Sequence, residues 1–398
     1  MALATILGRR FGVLWPLLAL LASTAAAEAP PEPGPVPPAA DTNGASGDKV
    51  HVEWKDGRTT LKMENAEISL SNRVQFRLTD QIPDDSVQLP GTVAPGDAKP
   101  SFRVRRAKTN LTGWFWRKEL TFDLQLAWAG PDPGASAGSP LEDLQITYDV
   151  SGKGTLRVSA GQFKVPFGRQ EQTSSGRLQF CDRDLLSEEF TRGRDVGVQV
   201  DGAWARGHIE YGLGAFNGNS RNRVDNDNAK FQYDGHVTFQ PWGDVRYSEG
   251  DFESKDKPLA AFGVELENNN LHGATNVNDF DTTIWGGFAI LKYRGASFFG
   301  EYFARSRQPE AGPSFGSNGW HVQGGYFIRR DTLEVALRYA TWDPTDTAAS
   351  NDQSEVGGAV SYYVKRHNLK FQADYRSIED KTAGTKSKEL RVQTQVVF

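Results

Sequence analysis

Five arginines occupy polar positions in three segments where polar and apolar residues alternate. These segments lie far apart in the sequence. The arginines are Arg73, Arg77, Arg103, Arg105 and Arg391. A guanidinium group is permanently charged and offers several N–H donors, so arginines grouped on one surface attract small anions. Two interpretations stay open: these arginines line an anion path, or they pair with acidic side chains and only shape the surface around them.

Other residues that could do chemistry are sparse. The six histidines lack the spacing of metal ligands, and the chain has neither a G-x-S-x-G nucleophile motif nor an H-E-x-x-H zinc motif. We therefore predict no catalytic site, no metal site and no cofactor. His236 and His321 are the two that a hydrolase could use as a base, and a solvated polar histidine is the alternative for each.

The composition excludes several classes of protein. The chain has 398 residues, a formal net charge of -5 and a single cysteine, Cys181. The negative charge argues against nucleic acid as a partner, and one cysteine cannot form an internal disulfide. Apart from residues 11–22, no stretch is apolar enough for a membrane helix, so a transporter built from membrane helices is excluded.

The N-terminal residues predict export. Arg9 and Arg10 precede an apolar run, and Ala25-Ala26-Ala27 matches a signal-peptidase site. We predict a signal peptide at residues 1–27 and a Pro-, Ala- and Gly-rich periplasmic linker at residues 28–48, which cannot bury a core. Residues 49–398 then form one folded domain.

Alternation of apolar and polar residues dominates this domain. Leu120, Phe122, Leu124 and Leu126 alternate with Thr121, Asp123, Gln125 and Ala127, which gives a strand one apolar and one polar face. The same pattern predicts sixteen strands. They start near residues 68, 101, 120, 141, 155, 195, 207, 230, 258, 280, 296, 319, 332, 353, 368 and 389. The second of them changes phase unless it contains a bulge.

The connections between these strands alternate in length. Short ones at residues 151–154, 205–207, 294–295, 329–331 and 365–367 alternate with long polar ones, such as residues 129–140, 217–229 and 267–279. Outer-membrane barrels combine short periplasmic turns with long outer loops. Because lipid offers no hydrogen-bond partner, the sheet must close, and the last strand must pair with the first. We predict an all-β fold, a membrane-spanning antiparallel β-barrel of about 16 strands, in the bacterial outer membrane.

Residues 164–194 do not follow the strand pattern. The segment is too long for an ordinary loop, and Pro166 and the neighbouring glycines suit a backbone that turns inward. We predict that it folds into the barrel as a constriction loop.

Four pieces of sequence in and around this loop keep a distinctive order and spacing. They are Gly161-Gln162-Phe163-Lys164-Val165-Pro166-Phe167-Gly168, Thr173-Ser174-Ser175, Arg183-Asp184-Leu185-Leu186 and Gly193-Arg194-Asp195-Val196-Gly197-Val198. They resemble the phosphate-selective porin O/P family. The resemblance implies a trimeric, sixteen-stranded pore whose third long loop narrows the lumen, and it implies that Lys164, Ser174, Ser175, Arg183 and Arg194 lie in that constriction loop.

These observations predict a porin for passive diffusion of small hydrophilic solutes. A bias of the pore toward anions such as phosphate is the expectation to test. Its expected partners are outer-membrane lipid and lipopolysaccharide, small anions or other hydrophilic solutes, and further copies of the chain in a homotrimer. Two alternatives stay open: a barrel-embedded hydrolase, and an exported soluble carbohydrate-binding β domain.

Overall fold

The computed structural model describes residues 50–83, 100–129, 139–223, 225–254, 256–271 and 280–398. The predicted signal peptide lies outside these residues, as does the predicted linker, and both stay predictions. The folded unit spans Asp48–Phe398. Within the described ranges, no helix has the length and apolar character needed to cross a membrane.

Antiparallel strands dominate the described part of the chain. They are β1 (His51–Lys55), β2 (Arg58–Lys62), β3 (Ala66–Pro83), β4 (Ser101–Phe115), β5 (Arg117–Ala127), β6 (Leu141–Asp149), β7 (Arg157–Lys164), β8 (Arg194–Trp204), β9 (Ile209–Phe216), β10 (Gln232–Phe239), β11 (Leu259–Leu271), β12 (Phe280–Tyr293), β13 (Ala296–Pro309), β14 (Phe315–Arg329), β15 (Leu333–Asp343), β16 (Gln353–Lys365), β17 (Leu369–Asp380) and β18 (Thr385–Val397). The short helices α1 (Arg169–Gln172) and α2 (Leu185–Phe190) interrupt the connection from β7 to β8. The sixteen predicted strands are β3 to β18, and each begins within four residues of its predicted start.

The barrel closes between its last and first wall strands. β18 pairs antiparallel with β3, which places Gln393 opposite Arg77. Beyond this ladder, Phe398 and Asn72 exchange backbone hydrogen bonds of 3.0 and 2.6 Å. β3 to β18 therefore form a closed sixteen-stranded antiparallel barrel, which leaves no wall strand with an unpaired edge in lipid. The predicted fold class is confirmed.

An N-terminal hairpin, which the sequence pattern did not predict, precedes the barrel. β1 pairs with β2, and β2 pairs with the start of β3, beyond the point where β18 ends. Gly57 takes a φ of 73° in its turn, a conformation that favours glycine. Lys62 donates a 2.7 Å hydrogen bond to Glu53 and thereby lowers the pKa of that carboxyl group. The strands are only five residues long, too short for a clear alternation.

The two faces of the wall have opposite chemistry. On β15 the Leu337 side chain is 73% exposed, whereas its neighbour Arg338 is 2% exposed and faces the interior. Several exposed aromatic side chains lie on the outer face, and outer-membrane barrels carry such aromatic residues at both membrane interfaces. They are Trp128, Tyr148, Trp204, Tyr293, Trp320 and Tyr339. An apolar exterior and a polar interior suit a barrel in lipid. They give no support to the alternative of a soluble carbohydrate-binding domain.

The predicted bulge lies between β3 and β4. Gln75 pairs with Arg106, but the next residue, Phe76, pairs with Val104, so Arg105 is the extra residue. Such a bulge changes the side-chain phase of its strand. It allows both Arg105 and Arg106 to direct their side chains into the lumen, while Val104 is exposed on the outer face.

Candidate functional site in the barrel lumen

The interior of the barrel is crossed by residues 165–193, here called the constriction loop. We call the end of the barrel that carries the short turns the turn side, and the opposite end the loop side. The constriction loop leaves β7 on the loop side, and buries Phe167, Leu178 and Phe180 inside the lumen. It reaches the far wall, where Lys370 of β17 donates a 3.1 Å hydrogen bond to the Leu178 carbonyl. The predicted inward-folded loop is confirmed.

Carboxylates of the wall accept hydrogen bonds from backbone N–H groups of this loop. Glu265 bonds Gly168 N at 2.5 Å, Glu301 bonds Arg169 N at 2.6 Å, Asp374 bonds Cys181 N at 2.7 Å, and Glu355 bonds Leu185 N at 3.1 Å. A loop inside a barrel cannot pair its N–H groups with a neighbouring strand, and buried N–H groups need partners. The wall acids meet this need and thereby fix the path of the loop.

A second segment also enters the lumen, from the turn side. Residues 240–254, here called the luminal segment, belong to the connection from β10 to β11, and they bury Val245 and Phe252. Asp251 accepts a 2.7 Å hydrogen bond from the backbone of Gly295 in the turn that follows β12. The sequence pattern did not predict this segment, because its mixed residues show neither helical nor strand periodicity.

Glu249 of the luminal segment contacts the constriction loop directly. Its carboxylate accepts hydrogen bonds from the Gln170 side chain at 2.8 Å, from the Gln179 backbone at 2.7 Å and from the Gln323 side chain at 2.9 Å. One buried carboxylate therefore joins two parts of the constriction loop to β14.

Arg169 supplies a further contact between the two segments. Its guanidinium lies 3.5 Å from the centre of the Tyr247 ring, an attractive cation–π arrangement. The same group donates a 2.6 Å hydrogen bond to the Val245 carbonyl. The constriction loop and the luminal segment therefore pack together and occupy lumen beside β11 to β18.

A water-accessible cavity of about 480 Å³ remains on the loop side, and we call it the arginine chamber. Its basic lining residues are Arg77, Arg103, Arg105, Arg106, Arg183, Arg192 and Arg376, and its acidic ones are Glu171, Asp182, Glu188 and Glu389. Seven basic groups against four acidic ones leave the chamber with an excess of positive charge.

Asp182 lies among the guanidinium groups that face this chamber. Its carboxylate pairs with Arg77, with Arg106 at 2.9 Å, with Arg105 at 3.3 Å and with Arg391 at 3.5 Å. Three of the five arginines predicted for the anion path, on β3, β4 and β18, therefore meet at one acid of the constriction loop. Arg103, opposite Arg77 in the β3–β4 ladder, also lines the chamber.

Arg73 lies outside the arginine chamber. Its guanidinium donates hydrogen bonds to the Ser174 hydroxyl at 2.9 Å and the Ser175 hydroxyl at 3.1 Å. The structure therefore brings together one predicted wall residue and two predicted loop residues, separately from the Asp182 cluster.

Lys164 and Arg194, which were predicted to lie in the loop, are instead the last residue of β7 and the first residue of β8. Both form ion pairs beside the loop, as does Arg183 within it. Arg183 pairs with the Glu171 carboxylate at 2.9 Å, and Lys164 donates to the Glu171 carbonyl. Arg194 makes two hydrogen bonds of 2.8 Å with the Asp143 carboxylate. Each of these basic groups therefore lies beside Glu171 or Asp143.

Three arginines of the chamber, Arg106, Arg192 and Arg376, were not among the predicted site residues. Arg106 was not assigned to the lumen because the bulge at Arg105 hides its phase. Arg376, on β17, pairs with Glu389 of β18 at 2.7 Å, and its inward direction follows from the alternation that also places Asp374 inside. That alternation could have identified it.

A second water-accessible region lies toward the turn side, along β4 to β10, and we call it the acidic chamber. It consists of two adjoining cavities of about 350 and 680 Å³. Their acidic lining residues are Glu119, Asp123, Asp143, Asp149, Asp201 and Glu210, and their basic ones are Lys118, Arg157 and Lys164. The charge excess is therefore opposite in sign to that of the arginine chamber.

His236 and His321, the two histidines considered for a hydrolase, each contact a partner other than a serine. His321 Nδ1 lies 3.2 Å from the Asp184 carboxylate, and the Ser187 hydroxyl donates to the same carboxylate at 3.0 Å. In a hydrolytic triad the serine contacts the histidine, and the acid lies behind it. His236 instead contacts the Pro166 carbonyl at 3.2 Å.

The closed barrel, its polar lumen and its inward loop define an outer-membrane porin. A sequence model described as "phosphate-selective porin O and P" matches residues 76–398. The chain belongs to the phosphate-selective porin O and P family. It is also 21% identical over 267 residues to an uncharacterized protein of Aquifex aeolicus, a match that covers 61% of this chain and 64% of that protein.

Solved outer-membrane porins share the fold. The outer membrane channel DcaP of Acinetobacter baumannii matches with a TM-score of 0.59 and 12% identity, over 84% of this chain and 98% of that one. An anion-selective porin from Comamonas acidovorans matches with a TM-score of 0.57 and 12% identity, over 84% of this chain and 100% of that one. At these identities the likeness concerns the fold alone.

The luminal segment should stabilise the constriction loop. Replacing Glu249 with alanine leaves buried donors of the loop without an acceptor, which costs about 1–3 kcal/mol. We expect the open-channel current of Glu249→Ala in a planar bilayer to fluctuate between levels, whereas the wild-type current stays steady. Glu253→Ala is the matched control, because Glu253 contacts Lys292 of the wall at 3.3 Å. Equally steady currents from both variants would contradict this role of Glu249.

Proposed function

We propose that this porin lets small hydrophilic solutes diffuse passively across the outer membrane and favours anions. The observation that carries the proposal is the arginine chamber, with seven basic and four acidic lining residues. In a narrow pore, the charges that line the passage determine which ions enter. The chamber opens on the loop side, which faces outward in barrels of this type, so an entering solute meets the positive charge first.

The proposed route follows β3 to β10. The constriction loop and the luminal segment occupy lumen beside β11 to β18, so the arginine chamber and the acidic chamber provide the space for solutes. Arg77, Arg103 and Arg105 then form one side of the route in the arginine chamber, Arg391 contacts Asp182 from β18, and Arg73 positions the loop through Ser174 and Ser175. Lys164 of the acidic chamber and Arg183 of the arginine chamber both contact Glu171, and we place the passage between the chambers there. Arg194 pairs with Asp143, which lines the acidic chamber.

A preference for cations is the second candidate, and the acidic chamber favours it. Six acidic and three basic residues line that part of the route. The arginine chamber opposes cations, and the acidic chamber opposes anions. Which kind of ion passes more readily therefore depends on which chamber presents the higher electrostatic barrier. No reaction is proposed at either place, because neither inward histidine has a serine as its partner.

Charge reversal in the arginine chamber tests the anion preference. We expect Arg103→Glu combined with Arg105→Glu to lower the chloride-to-potassium permeability ratio about tenfold, equivalent to about 1.4 kcal/mol, because two attractive charges become repulsive. The measurement is the reversal potential across a planar bilayer in a potassium chloride gradient, repeated with potassium phosphate.

The control reverses the same number of charges on the turn side, through Arg206→Glu combined with Arg366→Glu. This double variant should keep the wild-type reversal potential. A wild-type channel that prefers potassium, or equal shifts in both double variants, would overturn the proposal.

We also propose that the porin is a homotrimer in contact with outer-membrane lipid and lipopolysaccharide. β6 and β7 have only nine and eight residues, at or below the 9–11 that a spanning strand needs. A groove of about 1020 Å³ on their outer face is lined by Leu144, Ile146 and Val158, which a second subunit could cover. OmpT of Vibrio cholerae, with a TM-score of 0.55 and 10% identity over 83% of this chain and 99% of that one, has been solved in a trimer form.

Native mass spectrometry of the protein in detergent tests this assembly. We expect Ile146→Arg to convert the trimer to monomers, because it places a charge inside the apolar groove. Leu337→Arg is the control, since Leu337 is exposed on the opposite part of the wall, and it should leave the trimer intact. A monomeric wild type would contradict the proposal.

A further inference from the structure

Asp182 occupies the position that a bound anion would take among the arginines. Its two carboxylate oxygens contact guanidinium groups from three adjacent strands, β18, β3 and β4, and Asp182 is only 6% exposed. A carboxylate and a phosphate present similar oxygens to a guanidinium fork. The constriction loop therefore places a carboxylate, that of Asp182, in the most basic part of the lumen.

Other contacts hold the guanidinium groups in place independently of Asp182. Arg77 donates to the Gln393 side chain at 3.0 and 2.7 Å and to the Cys181 carbonyl at 2.8 Å. Arg106 donates to the Gln75 side chain at 3.0 Å. Without the Asp182 charge, these groups would still converge on the same point.

Arg391 is fixed most firmly of all. It makes hydrogen bonds of 2.6 and 2.9 Å with the Asp374 carboxylate, and it lies 3.3 Å from the Glu389 carboxylate. The arginine cluster is thus a preorganised oxyanion site that Asp182 occupies from within.

We propose that Asp182 is a specificity-determining residue of the channel, a tethered carboxylate that competes with passing oxyanions for the arginine cluster. A conducting site must attract an ion but also release it. Because Asp182 is part of the chain, it is always available to displace an oxyanion from the arginines, so phosphate passes without remaining bound. This inference rests on the proposed anion route.

The test compares block of chloride current by inorganic phosphate in the full-length protein. In Asp182→Asn the competitor loses its charge, so we expect phosphate to halve the chloride current at a concentration at least about tenfold lower than in the wild type. Asp182→Glu keeps the charge and should behave within about twofold of the wild type.

Asp352→Asn is the matched control. Asp352 lies just before β16, outside the arginine chamber, and pairs with Lys381 at 3.1 Å, so its replacement removes one negative charge without freeing the arginines. Phosphate sensitivity in this variant should stay within about twofold of the wild type. Gel mobility with and without heating reports whether each barrel has folded.

Each outcome has a definite meaning. Equal sensitivity to phosphate in Asp182→Asn and Asp352→Asn would overturn the role of Asp182, as would a folded Asp182→Asn channel that carries no chloride current in phosphate-free solution. If Asp182→Asn does not fold, the test depends on Asp182→Glu. A wild-type phosphate sensitivity in that variant supports the requirement for a charge, and a tenfold change in its phosphate sensitivity overturns the proposal. A cation-selective wild type would instead refute the proposed function itself.

Discussion

Hydrogen bonding between β18 and β3 is the constraint on which the rest of the structure depends. In lipid every backbone N–H and C=O group of the wall needs a partner, so the sheet must close. Closure places Gln393 and Arg391, near the C-terminus, beside Arg77, more than 300 residues earlier in the sequence. It also separates an apolar exterior from a lumen in which charged side chains can lie next to one another and to water.

The lumen is organised mainly by carboxylates that contact groups of the constriction loop. Glu265, Glu301, Glu355 and Asp374 extend from the wall to backbone N–H groups of the loop, and Glu249 extends to it from the luminal segment. Each buried N–H group that gains such a partner avoids a desolvation cost of about 1–3 kcal/mol. The result is an asymmetric lumen, with packed segments beside β11 to β18, an acidic chamber along β4 to β10, and an arginine chamber between β3, β4, the constriction loop and the ends of β17 and β18.

The wall could be predicted from the sequence because apolar and polar residues alternate with a period of two along its strands, as from Leu120 to Leu126. The phase change in β4 followed from the same rule, whereas the closure of the barrel followed from the need to pair every backbone group in lipid. Partners inside the lumen could not be predicted, since they join residues with no fixed spacing. Examples are Asp182 with Arg106, whose phase the bulge conceals, and the luminal segment, whose mixed residues show neither helical nor strand periodicity. The pairing of the arginines with loop acids was one of two open interpretations, and the Asp182 cluster contains such pairs. The anion path stays a proposal.

The location of anions in the lumen tests the central claim most directly. Crystals of the protein soaked in sodium bromide give anomalous diffraction that marks bromide positions without relying on a transport assay. The account predicts bromide in the arginine chamber, beside Arg103, Arg105 or Arg376. Bromide bound in the acidic chamber, with none in the arginine chamber, would contradict it.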